Sequence, residues 1–506
     1  MTTFFYTSNS IGVGHRIVPS IGDAYVITEG VTIGSTDSAA IYANLATPTV
    51  GTVSFIIEGS VFGDLYAIGL INSEATFNVD LLISSTGLVA GTENDGIFLG
   101  SYFHPGGEVG IRNHGIISAP EVAVGISAFD RFSLINTGEI TGQGNAGNST
   151  IGSSAATTII SNSGTISVGT TATAISVFGG ENSEIVDSFD MHNTGVLTSP
   201  LNAIRSYFQN DHVINEGVII GHVDLGYFES LDFERYDDIL DNSGSISGDV
   251  LLGGGNDTLL GEAGEIHGLI DGGTGDDVIH SGLADDMIIG GAGADEIWGG
   301  AGNDTASYEG SADGVRVSLN RGAGWYGDAA GDTLRDIENL IGSARQDHLV
   351  GNSAANMLDG GNADDILSGL SGNDILSGGN GEDNILGGSG NDLISGDRHQ
   401  DRLTGGDGED IFAFLNILDS GPANTERDNI TDFTQGQDLI DLTALGDLFF
   451  GGTAFSGSAG EIIYYHVAGG TRTVVEIDTD GDSVADFGIL LSNAAHTMTA
   501  ADFLFV

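Results

Sequence analysis

The stretch GGNGEDNILGGSGNDLIS, Gly378 to Ser395, consists of two nine-residue units placed back to back. Each unit has glycine at its first, second and fourth places, aspartate at its sixth and isoleucine at its eighth. Because glycine adopts left-handed turn conformations at little steric cost, the first half of each unit predicts a tight turn. The second half predicts a short strand whose middle side chain faces a core. Two units therefore predict one flattened coil with a carboxylate at each turn.

The same register holds over eight units, from Gly342 to Ala413, and every eighth place in them is apolar. This regularity predicts a core seam of stacked strands, with Asp365, Asp383 and Asp401 along one edge. The other edge holds Asp374, Asp392 and Asp410. The sixth places of the eight units are Asp347, Asn356, Asp365, Asp374, Asp383, Asp392, Asp401 and Asp410.

Carboxylates stacked one strand spacing apart, about 4.8 Å, repel one another unless a cation lies between them. The turns offer hard oxygen ligands on a flexible backbone and contain almost no histidine and no cysteine, which favours calcium over zinc or a rigid magnesium site. The alternative is a solvated acidic turn, but that does not explain why aspartate keeps its place through the units.

A less regular block of the same units runs from Leu252 to Ser307, with Asp257, Asp277, Asp286, Asp295 and Asp304 at the sixth places. Upstream, a different phrase returns every 22–31 residues, as in NTGEIT at Asn136 and NSGTIS at Asn162. Short β-branched runs on both sides of an Asn-Gly corner are typical of a β-solenoid. We expect the asparagines to form a ladder at that corner.

The chain of 506 residues carries 71 acidic and 13 basic side chains, a formal net charge of −58. All the basic residues are arginine, so nucleic acid is an unsuitable partner. No apolar run is long enough for a transmembrane helix, and we expect no membrane insertion. There is no cysteine, and the start MTTFFYTSNSIGVGHR does not have the pattern of a cleavable signal peptide.

The nonapeptides resemble GGxGxDxUx, the RTX repeat of calcium-loaded β-rolls, over residues 251–506. The resemblance implies that Gly378, Gly379 and Gly381 ligate calcium through their carbonyls beside Asp383. It implies the same for Gly387, Gly388 and Gly390 beside Asp392. Asn356 departs from the pattern by replacing the aspartate of its unit. Asp397 and His399 stand where glycine is usual, and we expect weaker binding at the turn before Asp401.

The stretches RDNITDFTQGQDLIDLTAL and DTDGDSVADFGILL and the terminal DFLFV are similar to the tail of serralysin-type proteases. The resemblance implies type I secretion from a Gram-negative bacterium and an extracellular or cell-surface location. Asp478, Asp480, Asp482 and Asp486 form a further candidate calcium loop, with an acidic hairpin turn as the alternative. As an EF-hand this loop is incomplete, because it has glycine at the fourth place and no Glu at the twelfth.

The catalytic HExxH of serralysins is absent, as are G-x-S-x-G and a P-loop lysine. A parallel β-helix joined to RTX repeats also resembles alginate epimerases, although their Asp-Pro-His-Glu motif is missing. Residues that could supply a base or a cation for polysaccharide chemistry are Tyr102, His104, Arg205, Tyr207, Asp211, His212, Arg235 and Tyr236. The alternative is that these residues pack the solenoid, and the acidic run Glu229–Asp241 is then a solvated bulge.

We therefore expect an all-β protein: a right-handed parallel β-helix, then calcium-binding parallel β-rolls and a β-rich C-terminal cap. The expected domains are residues 1–250, 251–307, 308–341, 342–415 and 416–506. The favoured function is a secreted, calcium-dependent structural protein that associates with itself, with cell-surface polysaccharide as a further possible partner. The alternative is an extracellular lyase or epimerase acting on an anionic polysaccharide.

Overall fold

The computed structural model describes residues 2–12, 14, 17–44, 51–72, 77–101, 107–127, 129–143, 149–169, 172–178, 188–207, 209–226, 236–467 and 469–505. These residues form strands and three short 3-10 helices, so the all-β prediction is confirmed. No helix in the described ranges has the length and apolar character needed to cross a bilayer. The chain divides into two compact units, Met1–Asp286 and Met287–Val506.

The N-terminal unit is a parallel solenoid whose coils have three strand faces. From Glu108–Asn113 to Ile239–Asn242, the strands on the first face end at the asparagine of the corner, and their parallel partners lie one coil before and after. The first-face strands are Thr3–Tyr6, Ala24–Ile27, Gly51–Ile57, Phe77–Ile83, Glu108–Asn113, Arg131–Asn136, Thr157–Asn162, Ser188–Asn193, Asn210–Asn215, Ile239–Asn242, Thr258–Leu260 and Val278–Gly282.

Strands on the second face follow the corner, and strands on the third face complete the coil. Two long strands, Val196–Tyr207 and Val218–Asp224, bend from the second face into the third through a register shift. The other second-face strands are Ser10–Gly12, Thr32–Ser35, Ser60–Gly63, Leu88–Gly91, Ile116–Ala119, Glu139–Gly142, Thr165–Val168, Ser245–Ser247 and Glu265–Ile266. The other third-face strands are Ile41–Asn44, Tyr66–Asn72, Asp95–Ser101, Val124–Ser127, Ser149–Ser154, Thr173–Phe178, Val250–Gly254 and Leu269–Thr274.

The asparagine ladder predicted at the corner is confirmed. The side-chain amide of Asn136 donates to Asn162 Oδ1 at 2.8 Å, and that of Asn162 donates to Asn193 Oδ1 at 2.8 Å. The ladder continues from Asn193 through Asn215 to Asn242 at the same distance, and these side chains are buried. Each amide thus satisfies its neighbours in adjacent coils, which fixes the register of the stack although coil length varies.

The second unit has two rows of parallel strands built by the nonapeptides. The first row contains Arg316–Ser318, His348–Val350, Ile366–Ser371, Asn384–Ser389, Arg402–Asp407, Asp428–Ile430 and Phe487–Leu491. The second row contains Met287–Ala292, Thr305–Ser307, Asn339–Ile341, Met357–Asn362, Ile375–Asn380, Leu393–Arg398, Ile411–Ala413, Leu439–Asp441 and Phe503–Leu504. Eighth-place side chains from Leu349 to Phe412 are all buried, so the predicted core seam is confirmed.

Two sets of antiparallel strands interrupt or close these rows. Between the repeat blocks, Ala323–Trp325 pairs antiparallel with Arg316–Ser318 and with Thr333–Arg335, which in turn pairs parallel with Glu296–Gly300. After the repeats, Glu461–Val467, Arg472–Asp478 and Phe487–Leu491 form an antiparallel sheet, and Phe449–Gly452 pairs parallel with its first strand. The 3-10 helices are Gly327–Ala329, Thr443–Leu445 and Ala500–Asp502. The boundaries of the five domains drawn from the sequence stay a prediction.

Replacing Asn162 with alanine should lower the free energy of unfolding of the N-terminal unit by about 2–3 kcal/mol, because it removes two buried amide hydrogen bonds and leaves Asn193 Oδ1 without its donor. Denaturant unfolding in excess calcium would measure this. Ser163→Ala at the same corner is the control and should change the unfolding free energy by less than about 0.5 kcal/mol. An Asn162→Ala chain as stable as the control would show that the ladder does not fix the stack.

Candidate metal centre

Six of the eight nonapeptide turns, from Gly360 to Gly408, hold their second and fourth residues in left-handed conformation, whereas Ser343, Arg345, Asn352 and Ala354 in the first two units do not. The φ angles are 100° at Gly379, 155° at Gly381, 119° at Gly388 and 130° at Gly390. Non-glycine residues at these places adopt the same region, with φ of 75° at Leu370, 61° at Asp397 and 88° at His399. The turn is therefore imposed by the stack of coils, and these three residues carry backbone strain that glycine would relieve.

The aspartates at the sixth places form two ladders between side chain and backbone. In the first, the backbone N–H of Asp365 donates to Asp383 Oδ1 at 2.7 Å, and that of Asp383 donates to Asp401 Oδ1 at 2.8 Å. In the second, Asp374 N–H donates to Asp392 Oδ1 at 2.9 Å, and Asp392 N–H donates to Asp410 Oδ1 at 3.0 Å. Partners are eighteen residues apart, as the two-unit coil predicts.

Two residues that the sequence analysis did not select extend these ladders past the last repeat. Asp401 N–H donates to Asp428 Oδ1 at 2.9 Å, and Asp410 N–H donates to Asp438 Oδ1 at 3.2 Å. Both residues are followed two places later by a buried isoleucine in the core seam, Ile430 and Ile440. This Asp-x-apolar signal was present in the sequence, but the glycines that usually precede it are absent.

The less regular block uses the same bond with different partners. Asp257 N–H donates to Asp277 Oδ1 at 2.7 Å in the first unit. In the second unit, Asp295 N–H donates to Asp332 Oδ1 at 3.0 Å and Asp304 N–H donates to Glu338 Oε2 at 2.9 Å. The segment between the repeat blocks thus supplies two of the acceptors. Asp286 is buried, with 3% of its surface exposed.

Burial raises the pKa of these carboxyl groups. The pKa of Asp365 rises from 3.8 to about 8, first because burial disfavours the charged form and second because Asp383 and Asp347 are close. Burial likewise raises the pKa of Asp374, Asp383 and Asp410 to about 6. Other carboxylates are the charges that raise these pKa values further, so binding a cation or a proton would lower the cost of burying the ladders.

The second carboxylate oxygen of the ladder residues is available to a cation. The Oδ2 atom is buried and accepts no hydrogen bond in Asp257, Asp365, Asp374, Asp383, Asp392, Asp401 and Asp410. Buried oxygens of this kind are costly unless they are protonated or bind a metal ion.

Glycine carbonyls lie beside these oxygens. Asp365 Oδ2 and the Gly378 carbonyl oxygen lie 2.6 and 2.7 Å from the point that a Cβ atom on Gly360 would occupy. A side chain at Gly387 would likewise collide with Asp392 Oδ2 and the Gly405 carbonyl. Carboxylate and carbonyl oxygens around a space open only to glycine fit calcium, which takes six to eight oxygen ligands in loose geometry. Calcium there would neutralise the stacked charge. The assignment of individual ligands, Gly379, Gly381, Gly388 and Gly390 among them, stays a prediction.

The acidic loop near the C-terminus brings together three of its four predicted ligands. Carboxylate oxygens of Asp478, Asp480 and Asp486 lie within 4.8 Å of one another. Asp478 already accepts backbone N–H groups of Gly481 and Ser483, at 2.6 and 2.8 Å. Asp482 accepts from Val484 within its own turn. Hydrogen bonds from Thr479 lower the pKa of Asp486. Calcium at this loop stays a prediction.

The residues considered for polysaccharide chemistry lie on different faces of the solenoid. Arg205 pairs with Asp224 at 3.5 Å, and the Tyr207 ring stacks on Phe178 with centroids 4.5 Å apart. Asp211 points into the core, while His212 is half-exposed on the outer side of the first face. Tyr102, His104, Arg235 and most of the run Glu229–Asp241 lie outside the described residues.

Models of two protein families match the chain. The first, described as RTX calcium-binding nonapeptide repeat, matches residues 245–265 and 271–306. These are RTX repeats. The second model, described as the C-terminal domain of serralysin, a peptidase of the M10 family, matches residues 346–505. That match includes most of the second RTX block and the segment after it.

Two solved structures are similar to part of the chain. The AlgE6R2 subunit of a mannuronan C5-epimerase from Azotobacter vinelandii is 32% identical, with a TM-score of 0.25, over 30% of this chain and 92% of its own. The AlgE6R3 subunit of that enzyme is 29% identical, with a TM-score of 0.23, over 32% of this chain and 78% of its own. No curated protein sequence matches the chain.

The two family matches indicate a calcium-binding, type I secreted, extracellular protein of a Gram-negative bacterium. RTX repeats bind calcium, which agrees with the buried, unpaired Oδ2 atoms of the ladders.

In calcium-free buffer, the free energy of unfolding of the RTX region should fall as pH rises from about 4 to about 8. The reason is that the pKa of Asp365 is 3.8 unfolded but about 8 folded, so the folded state binds more protons in that window. Urea unfolding between pH 5 and 8 would measure the slope. In saturating calcium the slope should flatten or reverse, because calcium binds the deprotonated groups. A stability that rises with pH without calcium would contradict the prediction.

Replacing Asp383 and Asp392 together with asparagine should raise the calcium concentration at the folding midpoint more than Asp478→Asn does. Asparagine keeps the Oδ1 acceptor for Asp365 and Asp374 but removes the charge that calcium neutralises. Asp478, by contrast, is held by the N–H groups of its own loop. Calcium titration followed by circular dichroism would compare the variants, and equal midpoints would refute the ranking.

Proposed function

We propose that this protein is a secreted, calcium-dependent structural protein that associates with itself at the cell surface or in the extracellular matrix. Such a protein belongs with surface-layer, filament or adhesin proteins. The observation that carries the proposal is an exposed apolar edge, among the described residues, at the first strand of the N-terminal unit.

The core seam of the first face reaches the surface at Phe4. Phe4 pairs in register with Tyr25, and Tyr25 with Phe55, and successive ring centroids are 5.3 Å apart. Phe55 and Tyr25 are buried, with 1% and 4% of their surface exposed, whereas Phe4 is 41% exposed. Solenoids need a polar cap to keep such an end soluble. Here the aromatic stack ends in an uncovered ring.

The strand that carries Phe4 also has an unused edge. Among the described residues, Thr3–Tyr6 pairs only with Ala24–Ile27, and Ser10–Gly12 pairs only with Thr32–Ser35. Phe5 and Ile11 on these strands are 66% and 54% exposed. Unpaired N–H and C=O groups beside exposed apolar side chains are a template for another strand. The occupant that we propose is the same edge of a second copy of this chain.

Dependence on calcium would restrict this association to the outside of the cell. The net charge of −58 resists compaction until cations neutralise the ladders. A ligand at about 100 times its dissociation constant contributes about 2.7 kcal/mol per site, so several sites decide whether the chain folds. Calcium concentrations outside the cell then favour the folded form, which presents the open edge only after export.

Charge placed on the open edge should prevent assembly. Phe5→Asp should leave the protein monomeric in calcium, while the unmodified chain forms ordered assemblies in negative-stain micrographs and larger species in analytical ultracentrifugation. Ile56→Asp is the matched control, because Ile56 is exposed on the same face within the solenoid and in the same register row as Phe5. It should assemble as the unmodified chain does. Unmodified protein that stays monomeric with calcium at high concentration would overturn the proposal.

A second candidate function, modification of an anionic polysaccharide, is favoured by a cavity on the third face. The cavity has a volume of about 280 Å³, and Phe98, Phe178, Asp95 and small residues such as Gly125 and Gly152 line it. Burial raises the pKa of Asp95 to about 6, which suits proton transfer near neutral pH. Aromatic rings beside a small-residue floor could hold a sugar ring.

The same purified samples distinguish the two functions. Monomeric Phe5→Asp protein, incubated with calcium and a polyuronate, would be followed by NMR for epimerised or unsaturated sugars. Turnover that Asp95→Asn abolishes would establish the enzyme, whereas assembly without turnover supports the structural protein.

A further inference from the structure

One inward position of the first face changes from apolar to acidic before the glycine-rich repeats begin. In register, this position is held by Phe132, Thr158 and Phe189, and in the next coil by Asp211. In the two coils that follow, Asp238 and then Asp257 occupy the same position. Asp211 thus stands in the core at a place where the preceding coil packs a phenylalanine.

Asp211 and Asp238 continue the aspartate ladder back into the solenoid. Asp211 N–H donates to Asp238 Oδ1 at 2.7 Å, and Asp238 N–H donates to Asp257 Oδ1 at 2.7 Å. Their exposed fractions are 2% and 1%. Neither residue follows a glycine turn, and both lie upstream of residue 245, where the RTX match begins.

The carboxylate of Asp211 is buried beside the side chains of Ser206 and Gln209. Neither of its oxygens accepts a hydrogen bond of good geometry. Gln209 is 1% exposed; its amide nitrogen donates to Ser206 Oγ at 3.0 Å, and its Oε1 atom has no partner. A buried carboxylate and a buried amide oxygen that both lack partners are two separate signs of a missing ligand.

The charges nearest this carboxylate are negative. Burial, then Asp257 and Asp190, raise the pKa of Asp211 well above its usual range, and Ser206 and Gln209 offset only part of this. Burial first, and then the charges of Asp211, Asp257 and Asp237, likewise raise the pKa of Asp238. Arg205, which is close in sequence, is paired with Asp224 on the third face. A buried anionic cluster of this kind requires protonation or a cation.

We propose that Asp211, Asp238 and the Gln209 side-chain oxygen form a calcium site inside the N-terminal solenoid. The donors are hard oxygens without histidine or cysteine, the set that calcium prefers. The site goes beyond the proposed self-association, and neither depends on the other. It extends calcium-dependent folding into the coils before the repeats, so those coils order when the repeats do.

A neutral isostere at Asp211 distinguishes a cation site from a structural hydrogen-bonding residue. In calcium-free buffer, Asp211→Asn should stabilise the strand Asn210–Asn215, since it removes a buried charge. In calcium the same change should destabilise that strand and lower the bound calcium by one ion per chain. Asp241→Asn is the matched control, because Asp241 is on the adjacent strand Ile239–Asn242, is only partly buried and is not among the charges that act on Asp211. It should change neither value.

Hydrogen exchange of residues 210–215 in the full chain would report stability in each condition, and calcium would be counted after equilibrium dialysis. Magnesium at equal concentration should not replace calcium, because it dehydrates reluctantly and needs a stricter octahedron. The proposal is overturned if Asp211→Asn shifts exchange in the same direction with and without calcium, or if calcium stoichiometry is unchanged.

The unmodified chain gives a second test that does not depend on how the variant folds. Calcium should slow exchange in 210–215 more than in the strand Ser188–Asn193, whose inward residue at this position is Phe189. Equal protection of the two strands by calcium would also overturn the site.

Discussion

Repulsion between buried carboxylates that are stacked one coil apart is the constraint on which the RTX region depends. Each ladder aspartate gives one oxygen to a backbone N–H of the neighbouring coil and leaves the other without a hydrogen bond. The first contact fixes where the carboxylate lies, and burial makes its charge costly there. The folded state is therefore favoured only where protons or cations are supplied, and the environment outside the cell becomes part of the energetics of the fold.

The solenoid and the RTX coils use different side chains to hold neighbouring coils together. In the solenoid, the neutral amide of Asn162 both donates and accepts, so the adjacent coils of the protein itself supply its partners. In the RTX coils, the Asp383 side chain can only accept, so its ladder is complete with a ligand. The asparagine ladder contributes to stability without a ligand, whereas the aspartate ladder contributes only when a proton or a cation is bound. With Asp211, the calcium-dependent aspartate ladder extends into the solenoid, whose asparagine ladder needs no ligand.

Much of this organisation could be predicted from the sequence because it repeats. The spacing of Asn136 and Asn162 gave the coil length, and the apolar eighth places from Leu349 to Phe412 gave the core seam. Asp428 and Asp438 could not be found in the same way, because a single Asp-x-apolar match is common and carries weight only when its neighbours in space are known. The left-handed conformations of Leu370 and His399 could not be predicted either, because the stack of coils imposes them against the conformational preference of these residues.

The direction of the N–H···Oδ1 bonds makes the two ends of an RTX ladder unequal. The carboxylate always belongs to the later coil and the donor to the earlier one. A ladder that lost its last coil would lose the carboxylate that accepts its last N–H group, whereas a ladder that lost its first coil would free a carboxylate oxygen to bind calcium or a proton. At the C-terminal end of one ladder the protein supplies a different acceptor, because Asp428 N–H donates to Ser420 Oγ at 2.8 Å. The two ends of an RTX ladder are therefore completed by different groups.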